Sequence, residues 1–501
     1  MTLSKSDYML FLKHPSWLWL KKYDKHKLPP IDDNLQAIFD AGNEFETWAE
    51  KLYPNAIKVG LDRSNFYETY ITMPSRTKMA LDEGATTIFQ GRFEEDGITC
   101  IFDMLEKVED KTYDLSEIKS STKAKPEHKY DLAFQVIVLE KFGINIRKIF
   151  VVHVNNEYVR DGNINPKKLI AKTDVTEAVK VLIDPTKDNI KKAFEVMSHS
   201  TIPDISPRHV NQVGVPGTSW LSDWLDIYKY INPDLDPYSI YFLSSLKIEQ
   251  VKQLEDKKIS LIKNISDELA LNPRQLAQIQ TTKDNKRIIV KKNIKDFLGT
   301  LTYPLYFLDY ETFSSVIPKF DGCQPYKDYP FQYSLHILEK PGAKLKHKEY
   351  VHQERSNPMP QLLKKLKADI GKDGTVLTWN MSYEKGCNDR MGNLYPEYKE
   401  LLKKINERVL DLMTPFSNMW LVDKKLFGSA SLKYVLPALA PELSYNKLEI
   451  SDGMKARNTW TKTFLGGENH NQREKIASDL SNYCTLDTLA MVQILKKLQQ
   501  L

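Results

Sequence analysis

The sequence predicts an α/β protein with two mixed α/β domains, over residues 1–195 and 301–501, joined by a mostly helical connector over 196–300. Three observations carry this expectation. A chain of 501 residues is longer than one hydrophobic core usually supports. Apolar runs of strand length cluster in the outer thirds: "TTIFQGRF", "GITCIFDMLE" and "KIFVVHVN", then "PLYFLDYETF", "FQYSLHIL" and "TVLTWN". Between them a Pro/Ser/Gly-rich stretch, "SHSTIPDISPRHVNQVGVPGTSW", leads into polar helical sequence, "SSLKIEQVKQLEDKKISLIKNISDELA".

Composition narrows the class. With 41% hydrophobic and 27% charged residues the chain reads as an ordinary globular protein, without repeats or low-complexity tracts. No apolar run approaches the ~18 residues that span a bilayer, so no membrane partner is expected. The start "MTLSKSDYML" lacks the basic, apolar and small-residue regions of a secretory signal. Cys100, Cys323, Cys387 and Cys484 lie far apart with no CxxC pair, which argues against a disulfide framework or zinc ribbon and fits a reducing cytoplasm. A net charge of +5 permits nucleic acid as a partner without demanding it.

In the first third, Asp103 is expected at the end of an apolar strand in "IFDMLEKVEDKTYDLSEIKSSTKAK". After a polar turn, Glu117 and Lys119 alternate on a second strand, with Ile118 facing the other side. Two carboxylates and a lysine on adjacent strands suit a divalent ion and set an ammonium beside an attacking water. Gln135, in "HKYDLAFQVIVLEKFG", is a polar residue on a mostly apolar helix; a satisfied structural amide fits it equally well.

This constellation resembles the RecB-like branch of the PD-(D/E)XK nucleases. The segment "LSKSDYMLFLKHPSWLWL" is similar to that branch's opening helix, and "AGNEFETWAEKL" to its first-motif helix. A histidine commonly joins the metal site from that second helix; here Glu46 falls at or near the position. The resemblance implies that Asp103, Glu117 and Lys119 form the metal-binding and catalytic trio, with Gln135 as the downstream glutamine. Leu139 stands where a tyrosine often follows. Several such nucleases hold an iron–sulfur cluster between an early cysteine and a later group. His14 stands at the early position and "RHVNQVGVPGTSWLSDW" has no cysteine, so no iron–sulfur cluster is expected.

In the last third, "YFLDYETF" sets Asp309 and Glu311 two apart within an apolar strand, so both carboxylates point to one side. The closing helix carries Ile476, Leu480, Tyr483, Asp487, Met491, Ile494 and Leu498 as one core-facing stripe, which Asp487 breaks. Glu384 follows a short apolar strand in "VLTWNMSYEKG". Acids on separate apolar elements suggest a hard-cation site for Mg²⁺ or Mn²⁺. Two such ions about 4 Å apart activate a water and stabilise the leaving oxygen in phosphodiester hydrolysis.

The order DxE, then Asn380-x-x-Tyr383-Glu384, then Tyr483-x-x-x-Asp487 resembles the DEDDy 3′–5′ exonucleases of the DnaQ-like, RNase H-like superfamily. That resemblance implies two metals held by Asp309, Glu311, Glu384 and Asp487, with Tyr483 orienting the attacking water. Glu384 stands where most relatives have Asp, and Asp411 in "RVLDLMTPF" is the nearest competitor, read as a structural acid near a helix start.

The combination resembles bacterial RecB-family nucleases that carry a C-terminal domain of unknown function. It implies a cytoplasmic, metal-dependent nuclease with two active sites, acting on nucleic acid and best on DNA with a single-stranded 3′ end. Basic clusters such as "KKYDKHK" and "KRIIVKKNIK" suit a phosphate backbone, and Trp379, Tyr383, Tyr326 and Phe331 suit base stacking. Two alternatives stay open: one live site beside a nucleic-acid-binding platform, or an inactive binding subunit of a larger assembly.

Overall fold

The computed structural model describes residues 1–266 and 268–501, which form two compact units, each mixed α/β. The first comprises Met1–Leu235, Lys247–Glu249 and Val316–Pro325; the second comprises Asp236–Leu246, Gln250–Ser315 and Tyr326–Leu501. The stretch 196–300 is shared between the two. Among the described residues, no helix is long and apolar enough to cross a membrane.

The first unit opens with α1 (Lys5–Lys13), whose start is fixed by a reciprocal cap. Ser4 accepts from the Asp7 amide, and Asp7 accepts from the Ser4 amide. The other elements needed below are α2 (Asp33–Glu50), β1 (Thr87–Glu95), β2 (Ile98–Glu109), β3 (Thr112–Lys119), α3 (Pro126–Lys141), β4 (Asn145–Val154) and β5 (Ile170–Asp174). They build a seven-stranded sheet in the order Ile57–Lys58, β1, β2, β3, β4, β5, with Leu3–Ser4 pairing parallel to β2. β1, β2 and β3 are antiparallel neighbours, whereas β3 and β4 run parallel with α3 as the crossover. Residues Asp131 to Leu139 of α3 are all buried, as expected of a helix apolar nearly all round.

Asp103, expected at a strand end, lies inside β2. Cross-strand pairs Leu105–Leu115 and Lys107–Tyr113 carry the hairpin past the apolar run, so pairing rather than hydrophobicity sets its length.

The second unit contains β6 (Leu305–Phe313), β7 (Tyr329–Leu338), β8 (Lys346–Val351), β9 (Thr375–Thr378), α4 (Met381–Leu394), β10 (Val409–Asp411), α5 (Gly453–Trp460) and α6 (Arg473–Gln499). The five-stranded sheet runs β8-β7-β6-β9-β10. β6 pairs antiparallel with β7 and parallel with β9, so it is central, and eight of its nine positions are buried. That is why it reads as a nearly continuous apolar run. Leu305, Phe307 and Leu377 share a core with Met491, Ile494 and Leu498 of α6. The whole expected stripe of α6, Asp487 included, is buried.

Candidate metal centres

The first cluster is assembled around Glu117 on β3. Lys5 Nζ lies 2.9 Å from Glu117 Oε1 and 3.5 Å from Asp131 Oδ1. Lys119 Nζ lies 2.5 Å from Glu117 Oε1 and 3.2 Å from Asp131 Oδ2. Gln135 donates through Nε2 to Glu117 Oε2 at 2.7 Å and to Asp131 Oδ1 at 2.9 Å. Asp103 accepts from the Ile118 amide at 2.7 Å, and Glu46 accepts from Gln90 Nε2 at 2.6 Å. Lys5, Glu46, Asp103, Glu117 and Lys119 line one cavity of about 670 Å³. The five residues singled out by sequence therefore converge, either lining this cavity or bonded to it. Lys5 and Asp131 were not anticipated. Asp131 lies one helical turn before Gln135, a spacing that could have revealed it, whereas Lys5 meets Glu117 only through the fold.

Electrostatics separate these acids. Burial would raise Glu117, but Lys119 and Lys5 outweigh it and hold the carboxyl well below its usual range. Burial, then the Glu117 charge, pushes Asp103 up to about 8. Two ammonium groups thus face Glu117 and Asp131, and the cluster carries its own counter-cations. Gln135 Oε1 is buried without a partner, and its amide cannot flip without setting that oxygen against two carboxylates.

In the second cluster no cation is ion-paired with the acids among the described residues, and Arg457 and Lys433 act on Glu311 and Asp487 only at longer range. Asp309 and Glu311 project from one face of β6, opposite Ser334 and Gln332 of β7. α6 brings Tyr483, Cys484 and Asp487 to the cluster, and its Leu480 carbonyl accepts from Gln332 Nε2 at 2.8 Å. Among the described residues, one group of ligand-type atoms lies within 4.8 Å of one another: those of Asp309, Glu311 and Cys484. Asp487 is held beside them, its carboxylate accepting from the Tyr445 hydroxyl, with the Tyr483 ring close by.

Glu384 sits in the first turn of α4, 2% exposed, with Oε2 lacking a partner and Asp309 within electrostatic reach. Asp411, at the end of β10, fixes that helix start. It accepts from the amides of Asn380 at 3.1 Å, Met381 at 3.2 Å and Met413 at 2.9 Å, the structural role expected for it. The structure thus brings Asp309 and Glu311 together directly and sets Asp487 and Glu384 within electrostatic reach of them. Cys484 and Tyr445 were not anticipated: the cysteine reads as core filling, and the tyrosine opens a single 3-10 turn, Tyr445–Lys447, too short to show periodicity.

Burial, reinforced by neighbouring carboxylates, holds Asp309, Glu311 and Glu384 well above the usual carboxylate range. Burial likewise pushes Asp487 up to about 7. Among the described residues, no lysine, arginine or histidine lies within ion-pair distance of these four acids. Buried like charges of this kind take up protons or a metal ion. An oxygen-rich donor set with one orphaned buried oxygen fits a divalent cation.

Phe331, Trp379 and Tyr383 are held by packing or hydrogen bonds. Phe331 is fully buried against Trp460, with ring centroids 4.3 Å apart, so it is unavailable for base stacking. Trp379 is half-buried and donates to the Ala430 carbonyl at 3.1 Å, and the Tyr383 hydroxyl meets Thr312 Oγ1 at 2.5 Å. Tyr326 remains exposed. His14 is buried, stacked on Trp224 with 3.8 Å between centroids, and donates from Nε2 to the Ser206 carbonyl at 3.0 Å.

Sequence comparison adds one family match. Residues 306–431 match a family described as a domain of unknown function, DUF2779. The matched segment contains Asp309, Glu311 and Glu384 and ends before Tyr483 and Asp487. The chain is similar to "Uncharacterized protein MG366" of Mycoplasma genitalium, 26% identical over 241 residues, covering 44% of this chain and 36% of that protein. It is also 26% identical over 229 residues to "Uncharacterized protein MG366 homolog" of Mycoplasma pneumoniae, covering 42% and 34% respectively. The chain thus spans about a third of the length of these curated relatives.

Proposed function

We propose that the protein is a metal-dependent nuclease whose principal site is the Asp309/Glu311/Glu384/Asp487 cluster, trimming nucleic acid, with DNA favoured, from a 3′ end. The observation that carries this reading is four clustered, largely buried carboxylates without a paired cation, a costly arrangement that binding a divalent ion relieves. Asp309 and Glu311, with Asp487 and Glu384 beside them, would hold Mg²⁺ or Mn²⁺. Bound there, such ions supply an activated water and charge stabilisation for the leaving oxygen. Tyr445 fixes the Asp487 carboxylate through its hydroxyl, leaving it little rotational freedom. Arg457, ion-paired with Asp328 at 2.6 Å, moderates the charge at Glu311 from the flanking helix α5.

On the same reading the Glu46/Asp103/Glu117/Lys119 cluster, with Gln135, is a second, RecB-like nuclease site. One observation favours the narrower alternative, in which this unit is a binding platform: Lys5, Lys119 and Gln135 already occupy both oxygens of Glu117.

The test is digestion of 5′- and 3′-labelled single-stranded DNA and RNA with Mg²⁺, Mn²⁺ or EDTA, using wild type, Asp309→Ala and Glu117→Ala. A metal-dependent ladder shortening from the 3′ end, lost in Asp309→Ala, is expected. Residual cutting lost in Glu117→Ala would establish the second site. Intact binding with no cleavage of any substrate would leave only a scaffold.

A further inference from the structure

The residue of the second cluster that a hard-cation site does not call for is Cys484. It projects from α6 one position after Tyr483 and is fully buried. Its sulfur lies 3.4 Å from Asp309 Oδ2 and 3.9 Å from the Asp309 carbonyl oxygen. Together with Asp309 and Glu311 it forms the group whose ligand-type atoms lie within 4.8 Å of one another. Donors about 2.0–2.3 Å from one ion stand roughly 3–4.5 Å apart, so small side-chain shifts bring all three into one coordination shell. A second, independent observation comes from a buried acid on which Asp309 acts. Glu384 is 2% exposed and its Oε2 has no partner, while its carboxylate is within electrostatic reach of Asp309. A buried oxygen of that kind is a vacant donor, which native structures rarely leave unused.

A cysteine placed only to fill space contacts apolar side chains. This one has a carboxylate oxygen of Asp309 3.4 Å from its sulfur and Glu311 in the same tight group of ligand-type atoms. We propose that Cys484 is a thiolate ligand that makes this centre select a first-row transition ion, of the Mn²⁺, Co²⁺ or Zn²⁺ class, over Mg²⁺. The inference rests on the reading of this cluster as a metal centre and narrows the class of ion it takes. Thiolate is a soft donor that Mg²⁺ does not seek, whereas first-row transition ions accept mixed sulfur and oxygen ligation, Co²⁺ and Zn²⁺ more strongly than Mn²⁺. On binding, the S–H bond is exchanged for a sulfur–metal bond and one proton passes to solvent, with no change of oxidation state.

The test is titration of the full chain with Co²⁺, following thiolate-to-cobalt charge-transfer absorption in the near ultraviolet, with Mg²⁺ and Co²⁺ affinities measured by calorimetry. Wild type, Cys484→Ser and Cys484→Ala are compared after circular dichroism confirms folding; Cys100, Cys323 and Cys387 remain in every variant as controls. The expected result is a saturating band in wild type, absent in both variants, and a Co²⁺-over-Mg²⁺ preference that falls at least about 10-fold in Cys484→Ser. Co²⁺ binding without the band, or an unchanged preference in Cys484→Ser, would overturn the cysteine ligand while leaving an all-carboxylate centre standing. Absence of any metal binding to wild type would overturn both readings.

Discussion

Glu117 and Asp309 are both carboxylates on central strands, yet their surroundings drive them in opposite directions. Glu117 is encircled by Lys5, Lys119 and Gln135 and stays ionised; Asp309 meets Asp487, Cys484 and Glu311 and favours the neutral form. Replacing Lys5 by Met should therefore destabilise the first unit by about 1–3 kcal/mol, read from urea midpoints, because a buried acceptor loses a charged donor. Tyr445→Phe removes a hydroxyl donor from Asp487 and should lower metal affinity or trimming by about 10–100-fold without unfolding the chain. His14 yields a pH prediction. Burial lowers its pKa from the ordinary 6.5 to about 3, so between those values the unfolded chain binds a proton that the folded chain refuses. Its contribution is complete above pH 6.5 and is lost as pH falls toward 3, by up to about 1.4 kcal/mol per unit. The slope of stability against pH in that window should flatten in His14→Phe, and an identical slope would refute the assignment.

At the scale of elements, both clusters depend on where strands and helices end. The Ser4–Asp7 cap sets the first turn of α1 and with it Lys5, while Asp411 sets the first turn of α4 and with it Glu384. Gly374, just before β9, is a position where only glycine fits. Its φ is +88°, and a Cβ there would stand 2.1 Å from the Pro304 carbonyl oxygen. Gly374→Ala should lower the stability of the second unit by about 1–3 kcal/mol and, by shifting β9 against β6, weaken the metal site along with it. A calorimetric scan with and without Mn²⁺ separates the two effects. The α6 stripe was legible because its 3.6-residue period is strong, and Asp487 stood out as the one acid in it. Tyr445 carries no periodic signal, since a residue in a single short turn is placed by what it packs against.

At the scale of the whole molecule, the two clusters should respond differently to metal. Saturating Mn²⁺ at about 100 times its dissociation constant should stabilise the unit that binds it by about 2.7 kcal/mol. Hydrogen exchange should then slow in Leu305–Phe313 and Arg473–Gln499, and not in Ile98–Lys119 if Lys5 and Lys119 serve as the counter-cations there. Protection appearing at Ile98–Lys119 and lost in Glu117→Ala would instead mark that cluster as a metal site. The sequence by itself determined the α/β class, the principal strands, the closing helix and most of the acids of each cluster. Alternation and helical period are local properties, and a carboxylate on an apolar face is conspicuous within its own segment. Only the tertiary structure decided which charges neutralise which. Lys5 reaches Glu117 across 112 positions, and Cys484 reaches Asp309 across 175. Contacts at such separations are set by how strands pair and helices pack, and no local period records them.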